Sequence, residues 1–111
     1  MLTTFIDAGL LKHRVTLEQL IETPDGYGGM IITWSEVAAL WVAIDSVRAA
    51  MRHLAQQSEN TITHRITLRH RNDIASGWRF KKGGRIFKII TIHDPDETGR
   101  YLVCRTEEEG Q

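Results

Sequence analysis

Thr61-Ile-Thr-His-Arg-Ile-Thr-Leu-Arg-His-Arg71 is the stretch on which the fold turns. Ile62, His64, Ile66 and Leu68 alternate with Thr61, Thr63, Arg65, Thr67 and Arg69. A period of two puts successive side chains on opposite faces of a sheet, so this is a strand with one buried face and one wet face.

The same grammar extends in both directions. C-terminal to it, Asn72 to Gly77 turns, Trp78 to Lys81 is a short strand, and Lys82-Gly-Gly-Arg85 is a tight turn between antiparallel strands. Arg85 to His93 is a strongly apolar strand, Asp94 to Gly99 a loop, and Arg100 to Glu107 the last strand. N-terminal to it, His13 to Glu22 places Val15, Leu17 and Ile21 on one face. Gln19 and Leu20 interrupt that pattern, as at a bulge or where a strand is buried on both sides. Thr23-Pro-Asp-Gly-Tyr-Gly-Gly29 is a hairpin connection, in which Pro24 presets φ and the glycines supply positive φ where it is needed. Met30 to Glu36 returns from it. Leu40 to Val47 is a further strand, apolar on both faces, as expected of a central or inter-subunit position. Ser46 to Asn60 differs: Val47, Ala50, Met51 and Leu54 have helical spacing without glycine or proline, so the segment reads as a helical turn or a long mobile loop.

The expected fold is therefore all-β: a small antiparallel barrel or sandwich of roughly six to seven strands, with one long connecting loop or short helix at 46–60. The 111 residues suit a single domain, with a short N-terminal arm (1–12) and a frayed C-terminal tail (108–111).

The chemistry-bearing residues form no catalytic set. No two of the five histidines have zinc-helix spacing, and there is no CxxC. His64 and His70 share a strand face but lie about 20 Å apart at a strand's rise, too far to share a metal. The glycines of Gly26–Gly29 and Gly83-Gly84 lack the spacing of a phosphate loop. Asp94 and Asp96 flank Pro95 and fit a turn better than a cation site. Catalytic residues, cofactors and metals are thus expected to be none. Cys104, the single cysteine, sits in an alternating strand and reads as a core residue, and the lack of a second cysteine suits synthesis in a cytosol. No apolar run spans a membrane and the first residues lack the make-up of a signal peptide.

Net charge is zero but segregated. Between residues 60 and 90 lie Arg65, Arg69, Arg71, Arg79, Lys81, Lys82, Arg85 and Lys88 against Asp73 alone. The last stretch carries Asp94, Asp96, Glu97, Glu107, Glu108 and Glu109 against Arg100 and Arg105. Two differently charged surfaces favour head-to-tail contact between copies or docking onto a charged partner. The candidate contact residues are Arg65, Arg69, Arg79, Lys81, Lys82, Glu107 and Glu108. A monomeric nucleic-acid-binding barrel is the alternative, but alternation sends Trp78 and Phe80 to the face opposite Arg79 and Lys81, away from the basic surface where stacking would need them.

In order and spacing the chain resembles the phage head–tail joining family, the head-closure or stopper proteins that include gene transfer agent counterparts. The resemblance lies in Ala8-Gly-Leu-Leu-Lys-His-Arg-Val-Thr-Leu-Glu18, Asp25-Gly-Tyr-Gly-Gly29 with Trp34 and Leu40-Trp-Val-Ala-Ile44, Thr63 to Ile74, Gly84-Arg-Ile-Phe-Lys-Ile-Ile90, Asp94-Pro-Asp96 and Tyr101-Leu102. One departure stands out: Val47-Arg-Ala-Ala-Met-Arg52 replaces the family's glycine and glutamate after the third strand. The resemblance implies a ring at the virion neck, on the order of six or twelve copies, between the portal or adaptor protein and the tail terminator or tail-tube protein. It implies that the 46–60 connection reaches toward the channel and closes the DNA exit after packaging. On that reading Arg48, Arg52 and His53 lie near the phosphates of duplex DNA, contacted without sequence specificity.

Overall fold

The computed structural model describes residues 6–47 and 62–110. Six antiparallel strands make one sheet that closes on itself: β1 (His13–Pro24), β2 (Met30–Ser46), β3 (His64–Arg69), β4 (Arg79–Lys82), β5 (Arg85–His93) and β6 (Tyr101–Glu108). The order around the barrel is β1-β2-β3-β6-β5-β4. A short 3-10 turn, Ala8–Leu10, precedes β1, and Asp7 caps it by accepting from the Gly9 N–H at 2.8 Å.

Alternation dictates the core. Val15, Leu17, Val42, Ile66, Leu68, Phe80, Phe87, Ile89, Leu102 and Cys104 point inward and pack together. At roughly 25 cal/mol per Å2 of apolar area removed from water, burial of this cluster is the main favourable term in folding. Trp78 packs against the same cluster, so the aromatics that flank the basic residues are structural, as the alternation predicts. Cys104 is fully enclosed and burial pushes its thiol up to about 12.

Closure is achieved by the shortest strand. β4 contacts β1 through Thr16↔Lys81, Leu17↔Phe80 and Glu18↔Arg79. It is held to β5 by a two-residue loop, where Gly83 adopts φ 61, a conformation that costs a side chain little only when it is glycine.

Two differences from the sequence reading have physical causes. Met30 to Glu36 and Leu40 to Val47 are a single strand of 17 residues, bent rather than broken. The bend is a bulge: Leu17 pairs with Ala38 and Glu18 with Glu36, which leaves Val37 without a partner. The extra residue is in β2, opposite the place where β1 loses its alternation. The second difference is at the C-terminus, where β6 takes in Glu108, a residue the sequence assigns to the frayed tail. Glu108 is buried, its N–H donates to Thr63 Oγ1 at 2.7 Å, and the Glu109 N–H reaches Ile86 O at 2.9 Å.

Residues 48–61, which hold most of the expected connecting segment, lie outside the described residues. Its two ends are tied together, since the Val47 N–H donates to Thr63 O at 3.1 Å.

Candidate assembly surfaces

Beyond the bulge, β1 and β2 leave the barrel. Gln19 to Pro24 pair with Ser35 to Met30 and with no other strand. The result is a two-stranded arm, which accounts for the 51 Å long axis of a molecule otherwise about 30 Å across (33 by 29 Å). Its tip is ordered by Asp25, whose Oδ1 accepts from the Tyr27 and Gly29 N–H groups at 2.7 and 3.0 Å. Gly26 and Gly28 both adopt φ 85 there.

The arm is apolar where it meets water. Tyr27 is 94% exposed, Ile32 57%, Met30 54% and Ile31 51%. Ile21 is exposed too, although it lies on the same face as buried Val15 and Leu17. Its parity is right, but the barrel ends before it. The arm's root is anchored: the Arg79 Nε donates to Glu18 Oε1 at 2.6 Å, and its guanidinium lies 4.0 Å from the centre of the Trp34 ring.

A second surface lies across the barrel, on the outward side of β2, β3 and β6. The N-terminal turn covers one edge and leaves a groove of about 630 Å3. Leu10, Ala43, Val47, Ile62 and Val103 line it together with the charged Asp7, Asp45, Arg65 and Arg105. Arg65 stands between Asp45 on one neighbouring strand and Arg105 on the other.

The candidate contact residues divide. Arg65 and Arg69 are exposed on the outward face of β3, Lys81 and Lys82 are half-buried on β4, and Glu107 lies opposite Lys88. Arg79 and Glu108 are instead engaged within the chain. Glu108 accepts from Arg85 Nε at 2.7 Å and Nη2 at 3.0 Å, and its Oε1 lies 3.9 Å from His64 Nδ1. The Glu108 hydrogen bond raises the Arg85 guanidinium above its usual value. Arg71 pairs locally with Asp73 at 2.8 Å and holds that carboxyl below its usual range. So three of the basic residues between 60 and 90 are neutralised by carboxylates of the same chain, and the basic surface is narrower than the sequence implies. Arg48, Arg52 and His53 lie outside the described residues.

Asp94 and Asp96 build the turn expected of them. Asp94 accepts from the Asp96 and Gly99 N–H groups, and Asp96 from the Thr98 N–H and hydroxyl and from Arg100. The Thr98 hydroxyl first, and the Arg100 guanidinium after it, hold the Asp96 carboxyl down at about 2. The arm, by contrast, was not singled out from the sequence. Its signal was Met30-Ile-Ile32, three consecutive apolar residues beside a turn, which a one-sided strand does not need.

Closed barrel, outward apolar arm and a separate half-apolar groove define a subunit shaped for contact with other macromolecules. The chain matches the family model for phage head completion protein over residues 6–109, and it belongs to that family. It is thus a structural head-completion protein of a virion. It is similar to the solution structure of protein SF1141 from Shigella flexneri 2a, at 28% identity and a TM-score of 0.73, over 96% of this chain and 99% of that one. It shares its fold with a chain of the virion of a native gene transfer agent particle, at 23% identity and a TM-score of 0.61, over 87% of this chain and 94% of that one. A comparison with curated proteins returns no match.

Proposed function

We propose that this protein is the connector or stopper of the virion neck: a ring-forming subunit that sits between the portal or adaptor and the tail and closes the DNA channel after packaging. The observation that carries the reading is the extent of the family match, residues 6–109, because it makes the barrel itself the head-completing unit. The architecture supports it. A ring needs two different surfaces on each copy that fit one another and close by rotation, and the arm and the groove are two different surfaces set toward opposite ends of β2.

Arg48, Arg52 and His53 are proposed, from sequence and resemblance, to line the channel near DNA. Phosphate contact there requires only positive charge at the right radius. Nucleic-acid binding by a free monomer has less support: Phe80 and Phe87 are fully buried, Trp34 is covered by Arg79, and the exposed aromatics among the described residues, Tyr27 and Trp41, belong to the arm tip and β2 and not to the basic β3 and β4.

The test is to produce particles without the protein. Packaged heads that lose their DNA and carry no tails are the expected result; tailed, DNA-retaining particles would rule the reading out. Reversing charge at Arg48 and Arg52 together is expected to change DNA retention or release while leaving incorporation of the protein intact.

A further inference from the structure

The arm and the groove have matching chemistry. From Val15 to Val47 there is no lysine, arginine or histidine, while Glu18, Glu22, Asp25, Glu36 and Asp45 all fall there. Glu18 is taken by Arg79 and Asp25 by its own turn. Glu22 is exposed, and no hydrogen bond or ion pair occupies it among the described residues. It pairs across the arm with Ile32, next to the Pro24↔Met30 pair, so one face of the arm presents a carboxylate among exposed apolar side chains.

The groove carries both signs: Asp7 and Asp45 line it with Arg65 and Arg105, Asp45 is directly opposite Arg65 on β2, and Arg105 has Thr91 on its other side. Arg65 and Arg105 are directly opposite one another in the β3–β6 register, and neither makes an ion pair among the described residues. Asp45 offsets part of the charge of Arg65, so Arg105 is the arginine with no carboxylate across from it, and a further anion between the two would relieve what repulsion remains. Around them Leu10, Val47, Ile62 and Val103 supply apolar wall. The groove's volume, about 630 Å3, has room for several side chains.

We infer that the arm of one copy lies in the groove of the next, with Glu22 between Arg65 and Arg105 and Ile32 and Met30 against the apolar wall. The inference rests on the connector reading and gives that ring its interface. A two-stranded ribbon with apolar residues on both faces is marginal in water alone and gains its stability from such a neighbour. The contact is heterologous, arm to groove and not arm to arm, so it does not stop at a dimer, and it makes a ring where the rotation between copies closes. Val47 and Ile62 line the groove on either side of the 48–61 stretch, whose sequence carries Arg48 and Arg52 against Glu59 and so matches the arginine pair less well than the acidic arm does.

The test is charge exchange scored in particles. Glu22→Arg alone and Arg105→Glu alone are each expected to lower incorporation of the protein on the order of tenfold, and the double variant to restore it. Thermal unfolding of each purified variant shows that the barrel is intact. Particles of a Glu22→Cys/Arg105→Cys variant are then oxidised. A ladder of linked chains is expected, because the native Cys104 is buried and does not compete. Single variants that incorporate normally, a double variant that does not recover, or linkage confined to one chain at monomer mass would each overturn the arm–groove contact. If wild-type particles lack the protein at the neck, the connector reading itself fails, and that outcome is separate from the other three.

Discussion

The barrel and the arm are made from the same two strands, yet they obey opposite rules. Within the barrel, Val15, Leu17 and Val42 are shielded by strands on both sides and by a filled interior. Past the Val37 bulge the same strands present Ile21, Ile31, Ile32 and Met30 to water. Burial in the first region is satisfied by the chain itself; in the second it requires another molecule. On the proposed arm–groove contact, fold stability and assembly are carried by separate parts, and substitutions should separate them.

The largest effect is expected in the barrel. Phe87→Ala removes a fully buried ring from the centre of the core and should cost about 3–5 kcal/mol, read from denaturant unfolding. Glu108→Ala removes a buried carboxylate that binds Arg85 through two hydrogen bonds. Because Arg85 is itself 47% exposed, its loss is softened by water, and about 1–2 kcal/mol is expected by the same measurement. The arm should behave differently: Ile31→Thr with Ile32→Thr should change the unfolding free energy of the isolated chain by less than about 0.5 kcal/mol, since neither side chain is in the core. The same pair should lower incorporation into particles. A large loss of monomer stability from these two substitutions would break the separation.

The smallest effect concerns acid. Asp96 is held down to about 2 by the Thr98 hydroxyl and then by Arg100, from an ordinary value of 3.8. A carboxyl depressed on folding contributes stability that is complete above its unfolded value and fades as pH falls through the folded one. The 94–99 loop should thus stay ordered down to about pH 4 and loosen between there and pH 2. Amide signals of Thr98 and Gly99 followed by NMR would report it, and Asp96→Asn should remove the dependence.

The strands were legible where one face is wet and the other dry. β3 follows from alternation and β5 from its apolar run, and Lys82-Gly-Gly-Arg85 and Asp25 to Gly29 give two turns away. Alternation says which face a residue is on; it does not say where the barrel ends along a strand. That is why Ile21 reads as core and is exposed. Nor does it distinguish a bulge from a break, so one strand of 17 residues reads as two. The charge pattern singles out basic residues, but pairing partners far apart in sequence, Glu18 with Arg79 and Arg85 with Glu108, are invisible before the sheet is assembled. Glu108 and Glu109 look like a frayed tail after the last strand, and only the Thr63 and Arg85 contacts show that Glu108 is buried.

An imaged particle neck tests the central claim most directly. The account predicts a closed ring of these barrels around the DNA axis between the head's portal layer and the tail, with the arm of each copy resting on the β3–β6 face of its neighbour. A neck that is fully accounted for by other proteins, or a ring in which every arm points away from adjacent copies, would contradict it.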